Sequence, residues 1–316
     1  MDPLLEILSD GDFHSGAAIG RQLGISRAAI WKRMQFLEQR TGLSLERSAG
    51  KGYRLSGIEL FDLVKLQQAC GSGARIAFYE TVDSTNSEAM RQIKSRRMID
   101  VVIAESQTAG KGRRGRSWMS PFASNLYMSL IWPVVGSVRQ LEGLSLVVGL
   151  AVARALREAG LDAGVKWPND VQVGGKKISG ILLELTGDPA DQSFVVIGIG
   201  VNVNSSNLGE EIGQPWTSIA LEKGGHYSRL ALLESLYGHL QDMLALHEQQ
   251  GFSAFRDEWK ASELWLGQRV CLSMGDRVVS GRYAGVNERG EVGIQDGEAI
   301  TFYSGGELSL RLADDC

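Results

Sequence analysis

Gly110-Lys111-Gly112-Arg113-Arg114-Gly115-Arg116-Ser117-Trp118 packs three glycines and four cations into one stretch, directly after an apolar run around Val102 that reads as a strand. It fits two patterns at once: G-x-G-x-x-G, and a P-loop in which Arg116 stands where lysine belongs. Neither context holds. A dinucleotide loop brings nearly uncharged backbone to a pyrophosphate and is followed about 20 residues on by an acid for the ribose. Here the loop is cationic and the later region reads Leu130-Ile131-Trp132. A P-loop continues into a helix, which Trp118-Met119-Ser120-Pro121 does not. What remains is a glycine-rich, mobile loop able to fold cations and backbone N–H groups around a polyanion. Surface decoration is the bland alternative.

Further along, Lys166-Trp167-Pro168-Asn169-Asp170 leads into Val171-Gln172-Val173, a Gly174-Gly175 hairpin signal and Lys176-Lys177-Ile178-Ser179-Gly180. Strand, turn and strand would bring Lys166 and Lys177 into one neighbourhood. Alone, Trp167 reads as core, Asn169-Asp170 as a turn and each lysine as solvated; with the loop they form a cluster. A carboxylate attacking the α-phosphate of ATP brings two anions together, so its site must hold lysines and arginines. The four histidines (His14, His226, His239, His247) show no Ser-His-Asp arrangement, and no His/Cys metal cluster is evident.

Around these motifs the segment from Phe61 to Leu266 mixes helices and strands. Thr85 and Glu88 stand at capping-box spacing before an amphipathic helix carrying Ala89, Met90 and Ile93. Leu141, Leu144, Val148, Ala151 and Ala155 mark another helix, closed by Gly160. Val101 to Ala104, Leu126 to Ile131, Ile181 to Leu185 and Phe194 to Ile199 read as strands. The remainder, Gln268 to Leu312, is short β runs punctuated by Gly-rich turns, which fits a small barrel.

The first 60 residues read differently. Helical stretches from Pro3 and Ser15 lead to Leu23-Gly24-Ile25-Ser26, a turn followed by an N-cap for Arg27 to Arg40, with Ile30, Met34 and Leu37 as the inward stripe. Two short strands, Leu45 to Ser48 and Tyr53 to Leu55, flank Ala49-Gly50-Lys51-Gly52. Together these predict a winged helix-turn-helix. The outward face would present Arg27, Ala28, Trp31, Lys32 and Gln35, with Lys51 at the wing tip; protein docking is the competing use of such a face.

The 316 residues carry a net charge of −4, yet the window Arg21 to Arg54 is +6. A basic module is thus attached to an acidic body. With 43% apolar residues the chain can bury a sizeable core. Its apolar runs fall short of the roughly 18 residues of a membrane span. An acidic start and three cysteines (Cys70, Cys271, Cys316) with neither paired framework nor metal spacing point to the cytoplasm and to no membrane partner.

Taken together, Asp83-Ser84-Thr85-Asn86, Gln107, Gly110 to Arg116, Trp118, Lys166 to Asp170, Lys177 with Gly180, Gly198 to Asn202 and Gly305 to Arg311 resemble the bifunctional biotin-protein ligase and biotin-operon repressor family over essentially the whole chain. Phe13-His14-Ser15-Gly16 and Ser26 to Ile30 are similar to its repressor-type members. The resemblance implies a multi-domain α+β protein: a winged helix-turn-helix (1–60), a mixed α+β catalytic domain of the biotin/lipoate ligase type (61–266) and a small SH3-like barrel (267–316).

It also implies roles. Ser84, Thr85, Asn86 and Gln107 would hold the biotin rings and Lys177 the biotin carboxylate, with Gly180 beside it. Lys111, Gly112 and Arg113 would close over biotin and the adenylate. Arg113, Arg116, Trp118, Lys166, Asn169, Asp170 and Asn202 would form the nucleotide end, where Mg²⁺ is expected with ATP. Lys177, Arg113 and Arg116 would be catalytic, and Ser26, Arg27, Ala28, Trp31, Lys32, Gln35 and Lys51 would face DNA. Implied partners are a biotin carboxyl carrier protein, operator DNA and, on binding ligand, a second copy of the chain. Two departures stand out: Lys111 replaces the commoner arginine, and Trp31 is bulky for a DNA-facing position, so that packing against the wing is the other place for it. A ligand sensor with a non-catalytic biotin site and a lipoate or octanoate ligase are the competing readings.

Overall fold

Three short polar side chains start the N-terminal helices. Asp2, Ser15 and Ser26 accept from the backbone N–H of Leu4, Ala18 and Ala29 at 3.0, 3.1 and 3.2 Å, satisfying amides that have no intrahelical partner. The helices are α1 (Pro3–Leu8), α2 (Gly16–Leu23) and α3 (Arg27–Thr41). Leu4, Leu8, Ile19, Ile30, Met34 and Leu37 bury their side chains between them. Strands β1 (Glu46–Ser48) and β2 (Gly52–Arg54) pair antiparallel as the wing. The structure, a computed structural model, describes residues 2–134, 141–187, 192–209, 212–304 and 308–315; Gly305, Gly306, Glu307 and Cys316 of the sequence reading lie outside these.

After α4 (Leu63–Cys70) the chain builds a seven-stranded mixed sheet in the order β3-β4-β5-β9-β8-β7-β6. Its strands are β3 (Ile76–Val82), β4 (Val101–Gln107), β5 (Leu126–Val134), β6 (Ala163–Lys166), β7 (Asp170–Val173), β8 (Lys176–Gly187) and β9 (Ser193–Val201). Only the β3–β4 pair is parallel. That parallel pair needs a crossover, and helix α5 (Thr85–Lys94) supplies it, with Ala89 packing on Val102 and Val196. Helices α6 (Leu144–Glu158) and α8 (Arg229–Gln250) join the main core. Between them runs the short α7 (Ile219–Lys223), and α9 (Arg256–Ser262) follows. The helix expected over Leu141 to Ala155 thus begins at Leu144. The cap of α5 differs from expectation: Ser84, not Thr85, is the N-cap, and Glu88 turns instead to Tyr79, Arg91 and Gln92. Thr85 is thereby released for the site.

The C-terminal strands, β10 (Arg269–Met274), β11 (Arg277–Val286), β12 (Val292–Asp296), β13 (Ala299–Tyr303) and β14 (Leu308–Leu312), form a five-stranded sheet in the order β13-β12-β11-β10-β14. Val270, Leu272, Tyr283, Ile294 and Leu310 share the core of the central sheet. Cys271 is disulfide-bonded, which the cysteine spacing does not disclose, and Cys70 is a free buried thiol pushed up to about 12 by desolvation.

Candidate functional site

The site lies where the N-terminus of α5 meets the ends of β4, β8 and β9, and it has two parts. The first is a pocket with a polar, uncharged floor. Gln107 Oε1, at the end of β4, accepts from the Thr85 backbone N–H (2.9 Å) and hydroxyl (3.2 Å), while Gln107 Nε2 donates to Ser120 (2.9 Å). Asn86 Nδ2 donates to Glu184 Oε2 (2.8 Å) and to the Leu182 carbonyl (3.3 Å), and the Ser129 hydroxyl reaches Asn86 Oδ1 at 2.6 Å. Bare backbone makes room. A Cβ on Gly198 would lie 2.2 Å from Asn86 Oδ1, and one on Gly200 would lie 2.5 Å from the Trp118 indole. On β8, a Cβ on Gly180 would lie 3.1 Å from the same indole and 3.3 Å from the Lys177 ammonium.

The second part is a groove of about 770 Å³ that continues from this pocket toward the C-terminal sheet. Among the described residues, six cationic side chains line it (Arg113, Arg114, Arg116, Lys166, Lys177 and Arg311) against one carboxylate, Asp170. The β6–β7–β8 ladder sets the spacing, placing Lys166 opposite Asp170 and Gln172 opposite Lys177. Lys177 Nζ sits 2.7 Å from Asp170 and 5.6 Å from the Trp118 ring centroid. Lys166 lies over Trp265 at 4.5 Å. Burial holds the Lys166 ammonium below its ordinary value; Asp170 opposes this, while Lys177, Arg116 and Arg311 add to it.

The glycine-rich loop folds back on itself. Gly112 N donates to the Arg116 carbonyl (2.7 Å) and Trp118 N to that of Gly110 (2.8 Å), with Arg114 at a left-handed φ of 59°. This closure points Arg113 into the site, where it donates to Asn169 Oδ1 (3.0 Å) and to the Leu308 carbonyl of the C-terminal sheet (3.2 Å). Lys111 and Gly112 line the pocket. Trp167 is core: it is 3% exposed and donates to the Gly290 carbonyl at 3.0 Å. Asn202 and Trp118 flank an adjoining hollow, and Asn202 Oδ1 and Trp118 Nε1 are buried without a hydrogen-bond partner.

Residues 78–202 match the biotin/lipoate A/B protein ligase family and residues 3–54 an HTH domain. The bifunctional ligase/repressor BirA of Salmonella typhimurium is 38% identical over 314 residues, 98% of this chain and 97% of that one. Its counterpart from Escherichia coli is 37% identical over 315 residues, with the same coverage. The chain belongs to the bifunctional ligase/repressor family. Among solved structures, the biotin protein ligase from Aquifex aeolicus in complex with biotin and ATP is similar at a TM-score of 0.66 and 31% identity, over 76% of this chain and 99% of that one.

In this ligase/repressor the helix-turn-helix exposes Arg27, Ala28, Trp31, Lys32 and Gln35 on α3, as its periodicity predicts. Trp31 is 51% exposed, so it stands out from the surface and is not packed away under the wing. Ser26 is the helix cap, and Lys51 lies at the wing tip near Phe13, 5.9 Å from its ring.

Sequence reasoning gave no role to Ser129, Glu184, Trp265 or Arg311. The first two carry a signal in retrospect: Ser129 interrupts Met128 and Leu130, and Glu184 interrupts Leu183 and Leu185, on the sheet face that Gly180, Leu182 and Glu184 share by the two-residue period of β8.

Proposed function

We propose that this ligase forms biotinyl-5′-AMP and pyrophosphate from biotin and ATP, and then transfers the biotinyl group to a lysine of a biotin carboxyl carrier protein. The observation that carries this reading is the junction of a pocket with an uncharged polar floor (Ser84, Thr85, Asn86 and Gln107) and a groove lined, among the described residues, by six cations and one carboxylate. A cyclic urea needs directed hydrogen bonds and no charge. A carboxylate approaching a triphosphate needs the opposite.

In the first step a biotin carboxylate oxygen bonds to the α-phosphorus and the bond to the pyrophosphate oxygen breaks. Lys177 neutralises the carboxylate and then the phosphoryl oxygens; Arg113 and Arg116 take the charge spread over the phosphates. Ser84, Thr85, Asn86 and Gln107 seat the rings, and Lys111, Gly112 and Gly180 wall the pocket. Trp118, Lys166, Asn169, Asp170 and Asn202 form the nucleotide end, Trp118 Nε1 and Asn202 Oδ1 being buried polar atoms that a purine can satisfy. In the second step the acceptor amine attacks the acyl carbon and AMP leaves.

Mg²⁺ would be the counter-ion of the nucleotide and would supply charge neutralisation there. Asp170 would offer it an oxygen. Residues 1–60, 61–266 and 267–316 are read as repressor, ligase and SH3-like units. The register shift of β11 between Tyr283 and Val286 supplies the bend that a small barrel requires.

The repressor activity rests on Arg27, Ala28, Trp31, Lys32, Gln35 and Lys51 facing operator DNA. Since one helix reads one half-site, a ligand-dependent homodimer supplies the second. An unchanged dimer constant and operator affinity on adding biotin and ATP would break that link. A purely ligand-sensing site is disfavoured by Lys177 and Arg113, which face the groove as a working ligase requires. The test of the ligase reading is biotin-dependent exchange of labelled pyrophosphate into ATP with lipoate as control; exchange driven equally by lipoate rejects it.

A further inference from the structure

The hydrogen bonds under the ring pocket have a fixed direction, and its origin is a residue that does not touch the pocket's proposed ligand. Asn86 could present its amide either way round. Glu184 Oε2 and the Leu182 carbonyl only accept, so the two protons of Asn86 Nδ2 go to them, at 2.8 and 3.3 Å, and Oδ1 faces Ser129. Oδ1 in turn only accepts, which commits the single proton of the fully buried Ser129 hydroxyl at 2.6 Å. Ser129 Oγ and Thr85 Oγ1 lie 2.8 Å apart. With the Ser129 proton already used, the Thr85 proton serves either that contact or Gln107 Oε1 at 3.2 Å. In both cases Thr85 turns lone pairs toward the pocket.

On the other wall the Thr85 backbone N–H, which can only donate, fixes Gln107 Oε1 inward, and Nε2 donates to Ser120 with its second proton left for the pocket. The Asn86 amide has no room to shift, because it lies on the bare Cα of Gly198.

We propose that Glu184 is a positioning and specificity residue: acting through Asn86 and Ser129, it sets which atoms of the ring pocket accept and which donate, and so selects a cyclic urea over a ring bearing N–H in place of the urea oxygen. This rests on the reading of the pocket as the biotin site. Truncating Glu184 lets the Asn86 amide turn over, after which Ser129 and Thr85 can reorient their protons.

The experiment measures biotin and 2-iminobiotin affinity, and the KM and kcat for biotin, in the full chain and in Glu184→Ala, Glu184→Gln and Ser129→Ala. For Glu184→Ala the expected result is a rise in biotin KM of about 10- to 100-fold, the order of one or two misdirected buried hydrogen bonds, with kcat within about threefold of wild type. The preference for biotin over 2-iminobiotin should fall by about tenfold. Glu184→Gln keeps an acceptor toward Asn86 and should restore most of the preference. Ser129→Ala cuts the chain between Asn86 and Thr85 and should lose it as Glu184→Ala does, which keeps the test open if one variant does not fold. An unchanged ratio in Glu184→Ala or Ser129→Ala, or a Glu184→Gln as unselective as alanine, overturns the proposal. Failure of the wild-type protein to bind biotin would instead count against the functional reading.

Discussion

Charge is arranged on opposite terms in two regions of this molecule, buried in one and lining an open groove in the other. At the junction behind the winged helix, Arg229 and Glu105 are 0% and 1% exposed and pair at 2.6 Å. Glu105 also accepts from the Phe61 backbone N–H (2.6 Å), and the guanidinium donates to the Asn125 carbonyl (3.1 Å) and the Glu59 carbonyl and stacks 4.1 Å over Phe61. The carboxylate of Glu59 meanwhile accepts from Ser228 Oγ and from the backbone N–H groups of Arg229 and Leu230 at the start of α8. One charge answers one charge, and the result ties the connection at 59–61 to the central sheet. In the groove, six cations and one carboxylate line the wall among the described residues. The buried pair serves the fold; on the function proposed above, the cation-rich lining serves an anionic ligand.

The comparison breaks first where the matched pair is cut. Arg229→Ala leaves Glu105 buried and uncompensated, and stability should fall by about 3 to 5 kcal/mol, read as a lower urea midpoint. Replacing both partners with apolar residues of similar volume should cost much less, and a double variant as unstable as the single would show that the pair does more than cancel its own charge. In the groove the reverse is expected. Lys177→Ala should lower biotin-dependent pyrophosphate exchange by about 100- to 1,000-fold, the order for losing one preorganised charge-stabilising donor, with the urea midpoint held. A folded variant exchanging at near wild-type rate would remove Lys177 from the chemistry.

A smaller effect belongs to the loop. Arg113→Gly removes a clamp more than a catalyst, so release of the adenylate should quicken by about 10- to 100-fold, matching roughly 1.5 to 3 kcal/mol for one charge-assisted hydrogen bond. Exposed lysines elsewhere should then be biotinylated, and adenylate release at the wild-type rate would reject the clamp. The smallest effect is expected at the wing. Lys51→Ala should weaken DNA binding evenly across sequences and lower the slope of log affinity against log salt by about one. A sequence-dependent loss would mean that Lys51 reads bases.

The sequence shows where helices start and which loop is cationic, because both depend on neighbours in the chain. The caps at Ser15 and Ser26, the stripe of Ile30, Met34 and Leu37, and the β6–β7–β8 turn that gathers Lys166, Asp170 and Lys177 are local. The cap at Ser84 is misread by one residue because Ser84 and Thr85 are equally good caps; Gln107, 22 residues on, decides between them. Glu105, Arg229, Glu184 and Ser129 stay hidden for the same reason. Each is one polar residue in an apolar or amphipathic run, and its partner lies far away in the chain, 124 residues in the Arg229–Glu105 case. The C-terminal strands are legible from their Gly-rich turns. Their order, with β14 beside β10 and β13 at the far edge, is not, since it depends on which strands meet.

The central claim, that the surplus of cations recognises the anionic adenylate, is tested most directly by comparing two inhibitors that share the biotin and adenosine ends. One carries a phosphodiester between them and the other an uncharged linker of equal length. Titrated against wild type and Lys177→Ala, the charged compound should bind wild type at least about 100-fold more tightly than the neutral one, and most of that gap should close in the variant. Equal affinity for the two compounds in wild type, or a gap that survives in Lys177→Ala, would contradict the account.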